Sequence, residues 1–331
     1  MSVTRSPGPD QPSGRSPSFG DVAHLGHVEL LTPELDASAR CFTTVLGLRE
    51  VGRDATHVFL RGESEYERAG LTLTAAERPG IGHLGLRTTS AGALARRVQA
   101  VLATGIPGEW VEDGFGHGPA FRFTGPSGHA TELYWETERY AAPEADRPPA
   151  KDRLGRRGTA GIDVRRLDHV NLLAADVSAA ASVAWSALGA TLLDEIIDDV
   201  GVMAGAFTTF GQRPLELVYT RDPYGAGGRL HHVAFWVDTR DEVLRAADIF
   251  VDHGIQIEVP PALHTIGRSF FLYGFEPGGN RIEITTGANL VLDPDPVTRT
   301  WTAAERRQGV GWGTTFPASW GAYGTPDVRG E

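Results

Sequence analysis

The sequence predicts an α+β protein of two domains, each built from a tandem pair of βαβββ modules whose strands curl into a half-open barrel. Three observations lead there. Short strands with apolar and polar side chains in alternation are interspersed with a few helical stretches. The order of elements in the first half returns in the second. Between the halves lies a segment rich in Pro, Ala, Arg and Asp that reads as a linker.

Composition narrows the function classes. The 331 residues are enough for two domains and a sizeable core, and 41% hydrophobic with 22% charged residues is an ordinary balance for a soluble chain. A net charge of −11 disfavours a nucleic-acid partner, because phosphate binding needs clustered Lys and Arg. No apolar run is long enough to span a bilayer, and Met1-Ser-Val-Thr-Arg-Ser-Pro-Gly-Pro lacks the apolar centre of a signal peptide. No membrane partner and a cytoplasmic location are therefore expected. The single cysteine, Cys41, cannot form an intrachain disulfide and reads as a packed small residue.

Taken in order, residues 1–20 are rich in Ser, Pro and Gly and are expected to be disordered. The first domain, residues 21–137, opens with a strand from Val22. Thr32-Pro33 then starts a helix that runs from about Ala37 to Leu46, with Thr32 as its cap and Pro33 in its first turn. Strands are expected at Glu50-Val51, His57–Leu60, Leu71–Thr74 and Gly82–Arg87, a helix at Ala91–Ala103, and strands near Ala120–Phe123 and Ala130–Trp135. The linker covers 138–163. In the second domain, residues 164–290, strands at Leu167–Leu173, Thr191–Ile196, Val202–Phe210, Leu215–Tyr219 and Leu230–Val237 surround a helix at Val177–Leu188. A helix at Asp241–His253 and strands at Ser269–Phe275 and Arg281–Thr285 complete it, with His264 in a loop. Residues 291–331 form a tail with Trp301, Trp312, Phe316 and Trp320, which either covers a cavity mouth or packs on the barrel or a neighbouring subunit.

The chemistry gathers on three strands. In Leu230–Val237 the residues Val233, Phe235 and Val237 share one face, while His232, Ala234 and Trp236 share the other. His169 lies opposite Val170 and Leu172, and Glu283 lies opposite Ile282 and Ile284. A lone strand histidine is more often a hydrogen-bonded structural residue, and Glu283 has Arg281 nearby to pair with. Two imidazoles and one carboxylate on the polar faces of separate strands are nonetheless what a facial triad requires, and they suit Fe(II) or Mn(II) at neutral pH. His27, His83 and Glu132 precede His169, His232 and Glu283 at nearly constant spacing. The turns Gly125-Pro-Ser-Gly128 and Glu276-Pro-Gly-Gly279 also correspond. The strand pattern alone supports a mononuclear metal site in a cavity; Trp236, on the face of His232, is expected with Leu215 in the substrate pocket.

These residues carry a resemblance. Leu167-Asp168-His169, Leu230-His231-His232-Val233, Glu276–Glu283 and the two-fold repeat resemble the vicinal oxygen chelate superfamily, which has the glyoxalase-like fold, and within it the two-domain type I extradiol dioxygenases of the catechol 2,3-dioxygenase kind. The resemblance spans roughly residues 22–316. It implies His169, His232 and Glu283 as ligands of Fe(II), less often Mn(II), an aromatic diol and O2 as substrates, and a homo-oligomer, dimer or tetramer. It also implies that His264 hydrogen-bonds the substrate hydroxyl region and that Tyr273 stabilises the bound catecholate, from their spacing to Glu283. Where the family usually has an acid-base histidine facing dioxygen, this chain has Leu215, or Glu216 if the strand is read one residue out of register. That departure keeps two alternatives open: a non-oxidative glyoxalase-like isomerase, lyase or hydrolase, and a non-catalytic protein that binds an aromatic compound. The first domain is expected to be a degenerate copy with a structural role, because the positions matching His264 and Tyr273 are Asp113 and Arg122, and an arginine aimed at that cavity disfavours a cation; a second metal at His27, His83 and Glu132 is the alternative.

Overall fold

The structure, a computed structural model, describes residues 20–112, 114–156, 158, 160–307, 310–313 and 315–329. The disorder expected for residues 1–20 and the role considered for Asp113 thus lie, Gly20 apart, outside the described residues.

Four βαβββ modules follow one another. The first is β1 (Val22–Thr32), α1 (Leu35–Arg40, continued by a π-helical turn at Cys41–Val45), β2 (Arg49–Arg53), β3 (His57–Arg61) and β4 (Leu71–Ala75). The second is β5 (Gly80–Thr88), α2 (Ala91–Ala103), β6 (Gly108–Val111), β7 (Ala120–Thr124) and β8 (Ala130–Tyr134). The third is β9 (Arg166–Ala174), α3 (Val177–Ser186), β10 (Thr191–Ile197), β11 (Met203–Thr209) and β12 (Leu217–Arg221). The fourth is β13 (Arg229–Trp236), α4 (Arg240–Asp252), β14 (Ile257–Leu263), β15 (Phe270–Phe275) and β16 (Arg281–Thr286). The tail contributes β17 (Arg299–Thr302), α5 (Ala303–Arg307) and α6 (Ala318–Ala322).

The modules pair to give one mixed sheet per half, in the orders β2-β3-β4-β1-β5-β8-β7-β6 and β14-β15-β16-β13-β9-β12-β11-β10-β17. In each, the first strands of two modules run antiparallel at the centre, β1 against β5 and β9 against β13. Each first strand also lies parallel to the last strand of its own module. The central strands are therefore flanked on both sides, and polar groups placed on their inner face are buried together.

Local chemistry explains the helices. Ser90 and Asp176 accept hydrogen bonds from the Ala93 and Ala179 amides at the starts of α2 and α3. Thr239 and Glu242 form a reciprocal capping box on α4. Such caps contribute about 1 kcal/mol each. The cap expected at Thr32 is not formed: β1 continues through Thr32, whose hydroxyl accepts from the Glu34 amide and pairs with Ser38, and α1 begins at Leu35. Three strands escaped the sequence reading. β6 is short and largely exposed, β17 has four residues, and β14 carries Pro260 and Pro261, which are tolerated because β14 sits at the sheet edge.

One continuous apolar core runs through both halves, from Val22 and Phe42 to Phe235 and Ile284, and a smaller cluster around Val259, Phe271 and Val310 lies apart from it. Phe42 meets Phe235 across the halves, with ring centroids 5.8 Å apart. Ser38 donates to Glu276 Oε2 at 2.5 Å and the Asn280 amide donates to the Leu31 carbonyl at 3.0 Å, so polar bonds reinforce the same junction. Cys41 is buried and free, and burial pushes its thiol up to about 12, as befits a packing residue. Among the described residues no helix is long and apolar enough to cross a membrane.

Candidate active site

Strand alternation brings His169 from β9, His232 from β13 and Glu283 from β16 to one point inside the second sheet. Pairing fixes their relative heights: Ala234 lies opposite both His169 and Glu283. The two Nε2 atoms are 3.1 Å apart, and Glu283 Oε2 is 3.2 Å from His169 Nε2 and 3.1 Å from His232 Nε2. All three residues are buried. Both Glu283 carboxylate oxygens nevertheless lack a hydrogen-bond partner, a costly state for a carboxylate removed from water. A divalent cation at the centre resolves that cost, so the donors fit a metal of the facial-triad class.

The surroundings turn the right nitrogen inward on both rings. Asp168 Oδ2 accepts from His169 Nδ1 at 2.9 Å, which leaves Nε2 as the nitrogen facing Glu283, bare once the imidazole gives up its second proton in favour of a metal. His231 Nε2 donates to the Trp320 carbonyl at 2.8 Å, so its Nδ1 accepts from His232 Nδ1 at 2.7 Å, and His232 likewise presents a bare Nε2. Burial lowers His232 to about 4, keeping it neutral. Burial also opposes charge on His169, but Glu283 and Asp168 outweigh it and hold the imidazole up to about 9 without metal. Burial works against ionisation of Glu283 too, yet the positive charge on His169 holds the carboxyl well below the usual range.

Tyr273 and His264 complete the group. Tyr273 lies opposite Glu283 in the ladder between β15 and β16, and its hydroxyl is 3.1 Å from His264 Nε2. His264 follows β14 directly and forms an isolated bridge with Val310 of the tail, so it is held by two segments rather than lying in a free loop. Burial, reinforced by Glu283, pushes the Tyr273 phenol well above 10, so it stays a hydrogen-bond donor at neutral pH. A cavity of about 620 Å³ opens from these residues, walled by Ile196, Phe207, Leu215, Val218, Phe316 and Trp320 among others.

Residues 24–133 and 166–284 match the Glyoxalase/Bleomycin resistance protein/Dioxygenase superfamily. The chain belongs to that superfamily. Within it the relatives are extradiol dioxygenases. A metapyrocatechase of Geobacillus stearothermophilus is 36% identical over 314 residues, covering 94% of this chain and 96% of the relative. A manganese-dependent 2,3-dihydroxybiphenyl 1,2-dioxygenase of Geobacillus genomosp. 3 is 33% identical, covering 88% and 94%. Among solved structures, the anaerobic complex of Brevibacterium fuscum homoprotocatechuate 2,3-dioxygenase with 3,4-dihydroxyphenylacetate superposes with a TM-score of 0.80 at 27% identity, covering 93% of this chain and 94% of that one.

In this member of the superfamily the remaining expected positions separate. Leu215 lines the cavity. Glu216 does not: it is fully buried on the other side, accepting from the Leu25 and Phe210 amides and pairing with Arg213. Trp236 is not among the cavity residues either. Four residues along β13 from His232 is about 13 Å at strand rise, and its ring instead lies under the Arg166 guanidinium, 4.8 Å from the centroid. Asn171, two residues after His169 and therefore on the same face, lines the cavity with a buried, unpartnered Oδ1. The alternation that singled out His169 carried that signal. The His231 relay to Trp320 carried none, because it depends on where the tail folds. Of the tail aromatics, Phe316 and Trp320 wall the cavity, Trp301 donates to Asp194 at 2.8 Å, and Trp312 is exposed. In the first half His27, His83 and Glu132 also converge, and Arg122 pairs with Glu132 Oε1.

Proposed function

We propose that the protein cleaves a catechol-type aromatic ring in extradiol fashion with O2, at a mononuclear Fe(II), with Mn(II) as the alternative, held by His169, His232 and Glu283. The observation that carries this reading is the buried carboxylate of Glu283, which has no hydrogen-bond partner and lies within 3.2 Å of the Nε2 atoms of two imidazoles whose Nδ1 protons are directed away from it. When bound, the ion supplies Lewis acidity that lowers the phenol pKa of a chelating diol, together with the redox reactivity toward dioxygen.

The chain's own residues do the rest. The apolar wall of Ile196, Phe207, Leu215 and Val218 takes a flat ring and leaves its two hydroxyls pointing at the triad. The neutral Tyr273 hydroxyl donates to a substrate oxygen as it becomes anionic. His264, within hydrogen-bond distance of Tyr273, takes and returns the proton that leucine at 215 cannot carry. Phe316 and Trp320 exclude water from the same space. The metapyrocatechase and the 2,3-dihydroxybiphenyl 1,2-dioxygenase, matched over nearly their full length, favour this reading over a non-oxidative isomerase or a simple binder. A homo-oligomer, dimer or tetramer, belongs to the same reading and rests on the resemblance to the family.

The test is oxygen uptake. Protein loaded anaerobically with Fe(II), then given catechols in air, is expected to consume O2 and form a yellow ring-opened product, while Glu283→Gln does neither. Tight binding of catechols without oxygen uptake by the loaded protein would overturn the proposal.

A further inference from the structure

The first half holds a second set of converging ligands. His27 on β1, His83 on β5 and Glu132 on β8 stand where His169, His232 and Glu283 stand in the other half, and the likeness extends to the measurements. In each half the paired imidazoles have ring centroids 5.2 Å apart and planes at 81°. Their Nε2 atoms are 3.2 Å apart in the first half and 3.1 Å in the second. Glu132 Oε2 lies 3.6 Å from His27 Nε2 and 3.5 Å from His83 Nε2. A further imidazole, not anticipated from the sequence, joins them: His117 Nε2 is 3.7 Å from the same oxygen, and its ring stacks on His27.

The hydrogen bonds around this cluster turn lone pairs toward its centre. His83 Nδ1 donates to Glu29 Oε2 at 2.7 Å, the same carboxylate support that Asp168 gives His169. His117 Nδ1 donates to the Gly118 carbonyl at 2.8 Å. Two bare Nε2 atoms therefore face Glu132 Oε2, which is fully buried and has no hydrogen-bond partner. Without a positive centre that arrangement is unfavourable. Arg122 pairs with Oε1 and partly offsets the charge of the carboxylate, but it leaves Oε2 without a hydrogen-bond partner. The backbone leaves the rings room. A Cβ on Gly85 would come within 2.0 Å of the His27 ring, and one on Gly114 within 1.9 Å of His117.

We propose that this cluster is a second metal site, in which Glu132 Oε2 and the Nε2 atoms of His27, His83 and His117 hold a divalent transition ion, Zn(II) by ligand type. The donor atoms of His27, His117 and Glu132 all lie within 4.8 Å of one another, His83 offers a third imidazole 3.5 Å from the same oxygen, and imidazole with carboxylate is a donor set that zinc accepts. The ion joins β1, β5, β8 and the loop before β7, and so pins the first sheet across its centre. The expected degenerate role of this half is revised accordingly: structural, but metal-bearing.

The experiment separates the two sites. A variant carrying His169→Ala and Glu283→Gln, stripped with chelator, is titrated with Zn(II) and with Co(II) as a visible probe. It is expected to bind one ion per chain, to show intense Co(II) bands of low coordination number, and to gain thermal stability on loading. Adding His117→Ala is expected to weaken binding at least tenfold. If that variant does not fold, X-ray absorption of the Zn-loaded parent decides: imidazole scattering supports the site, and an all-oxygen shell overturns it. Folded parent variant that binds no ion, or binds it equally well after His117→Ala, also overturns it.

Discussion

His169 is where the residues of the catalytic half are most tightly coupled. With its pKa raised from 6.5 to about 9 in the metal-free protein, it must lose a proton before it can ligate. Metal affinity is therefore expected to rise by about tenfold per pH unit toward pH 9. Calorimetry in buffers of differing ionisation enthalpy should find close to one proton released per ion at pH 7. The sign for stability is opposite: the charged imidazole stabilises the metal-free fold fully below pH 6.5, and that contribution fades as pH rises through 9. Thermal melts of metal-free protein should thus fall over this window, and Asp168→Asn, which removes the partner of Nδ1, should flatten the trend and lower metal affinity 10- to 100-fold. Tyr273→Phe removes a donor while leaving the ring in place, so kcat is expected to fall about 10²-fold, with metal content by elemental analysis unchanged. At this scale the sequence was readable wherever alternation alone decides the face: His169, His232, Glu283 and the apolar row Val233, Phe235 and Val237. It was misleading for Trp236, since sharing a face with His232 says nothing of distance along the strand.

Elements with strong local signals were legible. α2 spans the expected Ala91–Ala103, and β9, β15 and β16 lie within a residue or so of their expected limits. The elements that were not legible owe their form to distant partners. β14 exists despite two prolines because β15 offers a single edge to pair with, and β17 exists because Arg299 and Trp301 reach the buried Asp194 of β10. Thr32 was misjudged because Ser38 and Glu276 compete for the hydrogen bonds of that turn. Gly62, just after β3, tests how closely elements of the two halves approach: a Cβ there would meet the Arg165 carbonyl oxygen at 2.4 Å. Gly62→Ala is expected to cost about 1–3 kcal/mol of stability, read from denaturant midpoints.

For the whole molecule, the two sheets form one body sharing a core, and a buried histidine at their junction ties its stability to pH. His129 Nε2 donates to the Arg229 carbonyl at 2.9 Å while its Nδ1 accepts from Ser127 at 2.8 Å. Burial lowers this imidazole from 6.5 to about 4, so the unfolded chain binds its proton first and stability drops as pH falls through that window. His129→Gln is expected to remove up to about 3 kcal/mol of the acid sensitivity, measured by urea unfolding at pH 7 and pH 4. The same union of halves places the tail across the cavity of the second sheet, which the linear pattern of residues 291–331 left open between lid and interface. The ring-cleaving chemistry proposed for that cavity is tested most directly by isotope labelling of the Fe(II)-loaded protein under 18O2. The account predicts that a catechol is converted to a ring-opened product carrying both labelled atoms, one molecule of O2 per ring. A product with one labelled atom or none, or an unopened ring across a panel of catechols, would contradict it.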